Sequence, residues 1–468
     1  MNPALQELKK TLRTNQISTD PLQCQNYGRD WTRSYIPNAQ AVLFPESIEQ
    51  VQEIVLWARK NRSPLVPSGG RTGLSGGAVA ANGEFVVSLE RLRQIFELNE
   101  IEQTVRCEAG VITENLQHFV SASGFYFPVD FASRGSSQIG GNIATNAGGT
   151  KVIRYGLMRD WILSLKVVTG AGEILQLNRD LVKNNSGYDL RHLFIGSEGT
   201  LGIICETTLR ITQPPKDLTV LLIQIPALEH SIEILTRFRK QVSLTAFEFF
   251  TDKALDYVLQ QHSDFTRPFS KTSSVYLLIE FENQSPKDLE SAMEAFDTCL
   301  AAKILTDGAV SQNSQQFQTF WKYREDISES LSPLKPYKND ISVRISKIPE
   351  FVSAAEKMLS KQFPKNEIIW FGHIGDGNLH INVLRHESQS DEDFSSDCKS
   401  ISQSLFELLQ KLGGSISAEH GIGLTKKPYL HFSRSPEEIR LMRAIKKVLD
   451  PDGILNPGKI FDITPGGT

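Results

Sequence analysis

Apolar positions along this chain recur with two periods, and each period marks a kind of element. Near the start, Leu5, Leu8 and Leu12 stand three to four apart and predict the first turns of an amphipathic helix. Ser47 with Gln50 three residues on has the form of a capping box. Ile48, Val51, Ile54, Val55 and Ala58 behind it supply one apolar helix face. Leu65-Val66-Pro67 reads as a short strand, and Ile203-Ile204 opens another. Trp321–Leu331 reads as a helix, as does the stretch carrying Ile439, Met442, Ile445 and Leu449. Between Trp370 and Val383 apolar residues alternate on either side of Asp376-Gly377, which predicts a hairpin with those two as its central turn residues. The longest apolar runs, such as Val220-Leu221-Leu222-Ile223, are far short of the roughly 20 residues a membrane helix needs.

Glycine divides the chain more sharply than hydropathy does. Of 33 glycines, 21 lie between Gly28 and Gly202, one (Gly308) between residues 203 and 371, and 11 from Gly372 onward. Glycine is required where the backbone takes positive φ or approaches a ligand closely. The first part therefore reads as a loop-rich ligand-binding domain and the middle as a regular domain of helices and strands. Pro214-Pro215 marks the boundary. At 468 residues two or three domains are expected, drawn here as 1–213, 214–424 and 425–468. With 40% hydrophobic and 22% charged residues, the composition excludes a disordered, collagen-like or coiled-coil chain. A net charge of −4 gives no electrostatic reason to expect a nucleic-acid partner. Cys24, Cys107, Cys205, Cys299 and Cys398 are far apart and form no CxxC, which argues against a disulfide framework, a zinc ribbon and an iron–sulfur cluster. Reduced thiols in a reducing compartment follow. The first residues lack the apolar core of a secretory signal, and an amphipathic helix is preferred there to a mitochondrial presequence.

Three glycine-rich segments carry candidate chemistry. Ser68-Gly69-Gly70-Arg71-Thr72-Gly73-Leu74-Ser75-Gly76-Gly77 follows the short strand, and backbone N–H groups in such a loop can converge on a phosphate. It is neither a Walker A loop nor GxGxxG, and alone it is equally a turn-rich surface segment. SRGSSQIGGNIATNAGG (133–149) adds hydroxyls and the amides Gln138, Asn142 and Asn146. GSEGTLG (196–202) leads into a strand. Three such loops without a lysine–phosphate signature imply one large, extended ligand such as a dinucleotide.

The second constellation lies near the C-terminus. Counting outward from Asp376-Gly377 pairs 375 with 378, 374 with 379, and His373 with His380, and Asn382 then points the same way as His380. Two imidazoles about 5 Å apart can share a transition metal; two buried histidines satisfied by neighbours would read alike. SAEHGIG (417–423) places Glu419 beside His420. A His₂Glu set with open positions suits catalytic zinc or manganese, while a Glu–His ion pair is the plain alternative.

PSGGRTGLSGG, PVDFASRGSSQIGGNIATNAGG and FIGSEGTLGI resemble the flavin-binding domain of the vanillyl-alcohol oxidase type. The resemblance implies FAD, with its pyrophosphate on the first loop, its isoalloxazine and ribityl chain along the second and its adenine near the third. It assigns Pro67, Ser68, Gly69, Gly70, Arg71, Thr72, Gly73 and Leu74 to the first loop. Pro128, Ser133, Ser137, Gly140, Gly141, Asn142, Ala144, Thr145 and Ala147 belong to the second, and Glu198, Gly199, Gly202 and Ile203 to the third. Neither His nor Cys occurs in 68–77 or 133–149, so non-covalent FAD is expected. Arg71 stands where a small or amide residue is usual, so its role is open.

FGHIGDGNLHIN and SAEHGIG, with NNSGYDLRHLFIGSEGTLGI, TAFEFF, WKYREDISESL and DPDGILNPGK, resemble the FAD-linked D-2-hydroxyacid dehydrogenases over about residues 27–461. The implied fold is α+β: a vanillyl-alcohol oxidase-type FAD-binding domain, a mixed α/β substrate (cap) domain, and a C-terminal helical segment returning to the flavin domain, with Asn456 near the cofactor. The implied metal ligands are His373, His380 and Glu419. His420 would be the base, and Arg324, Ser328, Lys338, Asn382 and His420 would contact substrate. The sequence departs from the family at Tyr337-Lys338-Asn339-Asp340, where an aromatic is expected after the lysine. The implied reaction is oxidation of a D-2-hydroxyacid, with hydride passing to flavin N5. Arg324 and Lys338 beyond the metal favour a dicarboxylate, D-2-hydroxyglutarate or D-malate, over D-lactate or glycolate. Electrons would leave through an electron-transfer flavoprotein or a quinone. A homodimer is compatible with the family. So is a cytoplasmic location, peripheral at the inner membrane, or the matrix in a eukaryote. A non-redox flavoprotein of the same fold, such as an alkyl-dihydroxyacetonephosphate synthase, would not need the paired-His hairpin.

Overall fold

The structure, a computed structural model, describes residues 3–262 and 264–462. It divides into two compact units: Met1–Gly148, Leu157–Pro214 and Glu419–Thr468 form the first; Gly149–Gly156 and Pro215–Ala418 form the second. The expected boundary at 213/214 falls one residue away. The second boundary lies before Glu419, and the eight-residue excursion Gly149–Gly156 has no counterpart in the sequence reading.

The first unit begins with Leu5, Leu8 and Leu12 buried, the first two on the helix Pro3–Leu8. Its first sheet contains β1 (Ile17–Ser18), β2 (Ala41–Leu43), β3 (Leu65–Ser68) and β4 (Phe85–Ser88) in the order β1-β2-β4-β3. The helix Ile48–Asn61 connects β2 to β3 and buries Val51, Ile54, Val55, Trp57 and Ala58. Ser47 Oγ accepts the N–H of Gln50, but Gln50 Oε1 accepts from Glu46 rather than from Ser47, so only half of the capping box forms. The second sheet is antiparallel: β5 (Ile95–Asn99), β6 (Thr104–Glu108), β7 (Ile162–Thr169), β8 (Ile174–Leu177) and β9 (Gly202–Arg210), ordered β5-β6-β9-β7-β8. After the helix Pro436–Leu449 the chain returns to the first sheet, where Leu455 bridges Leu65. The buried ammonium of Lys446 fixes this return by donating to the carbonyls of Thr200 and Leu455 and to Asp450.

The second unit is built on one antiparallel sheet of seven strands: β10 (Leu218–Ile225), β11 (Ser243–Thr251), β12 (Val275–Glu282), β13 (Asp307–Val310), β14 (Tyr337–Ser342), β15 (Glu367–Gly372) and β16 (Asn378–Leu384). Their order is β13-β10-β12-β11-β15-β16-β14. Ala246, Phe250, Tyr276, Leu278, Ile369 and Phe371 pack into a core with Phe320, Trp321, Tyr323, Ile327 and Leu331. No helix among the described residues is long and apolar enough to cross a membrane.

Candidate active site

In the first unit the three glycine-rich loops line a single cavity. Its walls include Pro67 to Gly73 without a break, Gly140, Gly141, Asn142, Ala144 and Thr145, and Glu198, Gly199, Gly202 and Ile203. Close approach explains the glycines: a Cβ on Gly70 would lie 2.1 Å from the carbonyl oxygen of Ser136. On Gly141 it would meet nothing within 4 Å. Ser68 Oγ and Gln138 Oε1 are buried on this wall with no hydrogen-bond partner. Such orphaned groups cost free energy unless a polar ligand meets them, so the residues fit a nucleotide cofactor.

Several side chains assigned to the flavin also hold the loops. Ser137 Oγ bonds Thr113 Oγ1 (2.8 Å), and Asn142 Nδ2 donates to that same threonine (2.7 Å). Asn456 Nδ2 donates to the carbonyls of Gly77 (2.8 Å) and Glu198 (2.7 Å). Leu74, Pro128, Ser133, Ser137, Ala147 and Asn456 lie outside the cavity lining. Arg71, at φ 59°, stacks its guanidinium 4.2 Å from the Tyr27 ring centroid, which gives it a role in bracing the loop. Sequence reasoning missed Asp30. It lines the cavity, is buried, and accepts the N–H of Gly76 (2.8 Å), and nothing in its neighbourhood marks it as a loop anchor.

In the second unit strand pairing assembles one polar patch. Asp340 stands opposite His380 and Lys338 opposite Asn382; His380 in turn faces Phe371, and Phe371 faces Phe250. Partners share a face and residues two apart share it too, so Lys338, Asp340, His380, Asn382, Phe371 and Glu248 all project from the same side. The register departs from the two-residue Asp-Gly turn. Phe371, not His373, pairs with His380, and residues 373–377 form a longer loop. Asp376 does not take the positive φ such a turn demands; only Gly377 does (97°). The loop is closed by the His373 carbonyl, which accepts the N–H groups of Asp376, Gly377 and Asn378. A shift of two keeps every side chain on its face, and the rings of His373 and His380 still lie 5.2 Å apart.

Each histidine has a buried carboxylate at Nδ1. Glu248, 1% exposed, lies 2.8 Å from His373 Nδ1; fully buried Asp340 lies 3.6 Å from His380 Nδ1. The Glu248 carboxylate, within hydrogen-bond reach of His373 Nδ1, orients that ring as carboxylates do behind metal-ligating histidines, while Asp340 stands just beyond that reach of His380. Burial alone would raise the Glu248 pKa, but the charges of His373 and Arg324 outweigh it and hold the carboxyl below its ordinary value. Asp340 Oδ1 also accepts from Asn378 Nδ2 (2.8 Å) and Oδ2 from the N–H of Ala418 (3.2 Å). Ser415 bridges the outer edge of β14 at Ser342, so residues 415–418 run along that edge toward Asp340. Glu419 is the next residue after Ala418.

Arg324 is 5% exposed, with Nη2 2.8 Å from Glu248 Oε2 and its guanidinium 4.9 Å from the Phe371 ring centroid. Its Nε and Nη2 nevertheless make no hydrogen bond. The helix expected over Trp321–Leu331 is broken at Asp326, into Ser314–Glu325 and Ile327–Leu331, so Arg324 and half-buried Ser328 do not share one continuous helical face. Lys338 has no ion-pair or hydrogen-bond partner among the described residues, and burial lowers its pKa. Glu248 and Asp340 were not singled out from sequence. Glu248 hides in the apolar run TAFEFF, and Asp340 sits in the segment that departs from the family pattern.

Comparison with known proteins matches both halves. The FAD binding domain profile covers residues 39–178, and that of the FAD linked oxidases, C-terminal domain, covers 214–460. A D-2-hydroxyglutarate dehydrogenase of Stutzerimonas stutzeri is 51% identical over 461 residues, 98% of this chain and 99% of that one. The mitochondrial D-2-hydroxyglutarate dehydrogenase of Arabidopsis thaliana is 35% identical over 459 residues, 97% of this chain and 80% of that one. Among solved structures, p-cresol methylhydroxylase superposes with a TM-score of 0.79 at 13% identity, covering 100% of this chain and 98% of that one. An alkyldihydroxyacetonephosphate synthase superposes with a TM-score of 0.75 at 20% identity, covering 98% and 86%. These structural likenesses establish the vanillyl-alcohol oxidase-type fold and no more. With both profiles matched and relatives aligned over nearly its whole length, the chain belongs to the FAD-linked oxidases, within the D-2-hydroxyacid dehydrogenase family.

Proposed function

We propose that this chain oxidises a D-2-hydroxydicarboxylate, D-2-hydroxyglutarate first, to the 2-oxoacid, with non-covalent FAD and a divalent zinc or manganese ion held by His373, His380 and Glu419. The observation that carries the metal is the pair of neighbouring imidazoles, each with a buried carboxylate near Nδ1. The aspartate-anchored run to Ala418 supports Glu419 as the third ligand. Bound FAD supplies the hydride acceptor and the metal supplies Lewis acidity at the substrate hydroxyl. His420 takes the hydroxyl proton, a task suited to an imidazole near neutral pH. Asn382, whose buried Oδ1 has no hydrogen-bond partner, orients the hydroxyacid together with Ser328. Arg324, whose Nε has no hydrogen-bond partner, and the Lys338 ammonium bind carboxylate. Five buried free cysteines offer no route for electrons, which pass to an electron-transfer flavoprotein or a quinone, and they fit a reducing compartment such as the cytoplasm.

Stopped-flow bleaching of the flavin by D-2-hydroxyglutarate, D-malate and D-lactate tests this reading. A dicarboxylate should give the highest kcat/KM, and Arg324→Ala should raise KM for it far more than for D-lactate. D-lactate proving the better substrate would place the chain with monocarboxylate oxidation. Full bleaching after chelation, with metal content near zero, would end the metal reading.

A further inference from the structure

Glu198 belongs to the third flavin loop, yet its carboxylate binds no part of that loop. It sits at φ 51°, buried, and its two oxygens accept the backbone N–H groups of Ile422 (2.7 Å) and Gly423 (2.8 Å). The fit is close, since a Cβ on Gly421 would lie 2.9 Å from Glu198 Oε1. The first flavin loop grips the same stretch, because the Ser75 carbonyl accepts the N–H groups of Leu424 (2.9 Å) and Thr425 (3.0 Å). Asn456 then ties the two loops together through the Gly77 and Glu198 carbonyls. The residues immediately after Glu419 and His420 are thus fastened to two of the loops that line the flavin cavity.

We infer that Glu198 is a positioning residue that acts through the backbone of residues 421–423 to set Glu419 and His420, and so couples the flavin loops to ligand and base. The inference rests on the reading of those two residues given above. Only an ionised carboxylate presents two acceptors to two converging N–H groups; an amide presents one acceptor and one donor, leaving a buried N–H unpaired. Coupling of this kind is reciprocal, so FAD occupancy should tighten metal binding and the metal should tighten FAD.

The test compares FAD-saturated wild type, Glu198→Gln and Glu198→Asp by hydrogen exchange and by zinc competition with a chelator. In Glu198→Gln the peptide 419–425 should exchange about tenfold faster or more while peptides from the seven-stranded sheet keep wild-type protection. The roughly tenfold gain in zinc affinity that FAD confers on the wild type should vanish. Glu198→Asp keeps two acceptors on a shorter stem and should restore part of both. Wild-type protection of 419–425 in Glu198→Gln with FAD bound overturns the inference, as does an intact FAD effect on zinc. If zinc binds neither protein the metal reading falls, while hydrogen exchange still decides the clamp. Should Glu198→Gln fail to fold, Glu198→Asp carries the exchange measurement.

Discussion

The two units build their sites from opposite materials. In the first, the cavity wall is mostly backbone: glycines let the chain pass close, and the larger polar residues Arg71, Asn142, Glu198 and Asn456 turn aside to brace the loops. In the second, an antiparallel sheet contributes the geometry, and the chemistry sits on side chains placed by cross-strand pairing: Lys338 with Asn382, Asp340 with His380. A backbone site is damaged by adding atoms, a side-chain site by removing them. That difference predicts which substitutions silence which half of the reaction.

The largest effect is expected from His380→Ala. It should strip the metal and bring substrate-driven bleaching below detection while FAD stays bound, as metal analysis beside the visible spectrum would show. His420→Ala should lower kcat by about 10²–10⁴ and keep its zinc; near wild-type rates would hand the base to another group. Gly70→Ala inverts the pattern. Its new Cβ would collide with the Ser136 carbonyl, and overpacking of about 1–3 kcal/mol weakens FAD by roughly 5–150-fold. Zinc affinity at saturating FAD should be unchanged. Loss of zinc there, or loss of FAD in His380→Ala, would erase the contrast.

The smallest effect concerns pH. Burial lifts the Glu198 carboxyl from its ordinary 4.5 to about 6. Between those values the native state holds a proton that the unfolded chain has released, so stability falls as pH rises through that window and is recovered on acidification. The change is on the order of 2 kcal/mol. Urea unfolding at pH 4.5 and 6.5 should show stability falling more steeply in wild type than in Glu198→Gln, by about this amount; equal slopes would point to other groups.

What could be read from the chain follows the same divide. The flavin loops were legible because positive φ and close approach leave glycine as a trace in the sequence. The hairpin was legible in parity, which placed His380 and Asn382 on one face, but not in register, because the three N–H groups gathered by the His373 carbonyl override the Asp-Gly turn. Glu248 was invisible: one acidic residue in TAFEFF looks like an interruption of a core strand until Arg324 and His373 are brought against it. The break at Asp326 likewise carries no proline or glycine to announce it. The FAD and C-terminal profile matches bear out the fold that the glycine-rich loops and the hairpin motif imply.

The short excursion Gly149–Gly156 makes the two units inseparable as linear cassettes. Lys151 from that excursion reaches the fully buried Glu280, which is otherwise met by Thr245 and the indole N–H of Trp321. A chimera that exchanged only residues 215–418 would take Glu280 from one parent and its counter-ion from another, and a fragment cut there would lose the lysine outright. Stranding a buried carboxylate in this way costs about 3–5 kcal/mol. Recombination of this chain with another is therefore constrained by eight residues lying far upstream of the segment they complete.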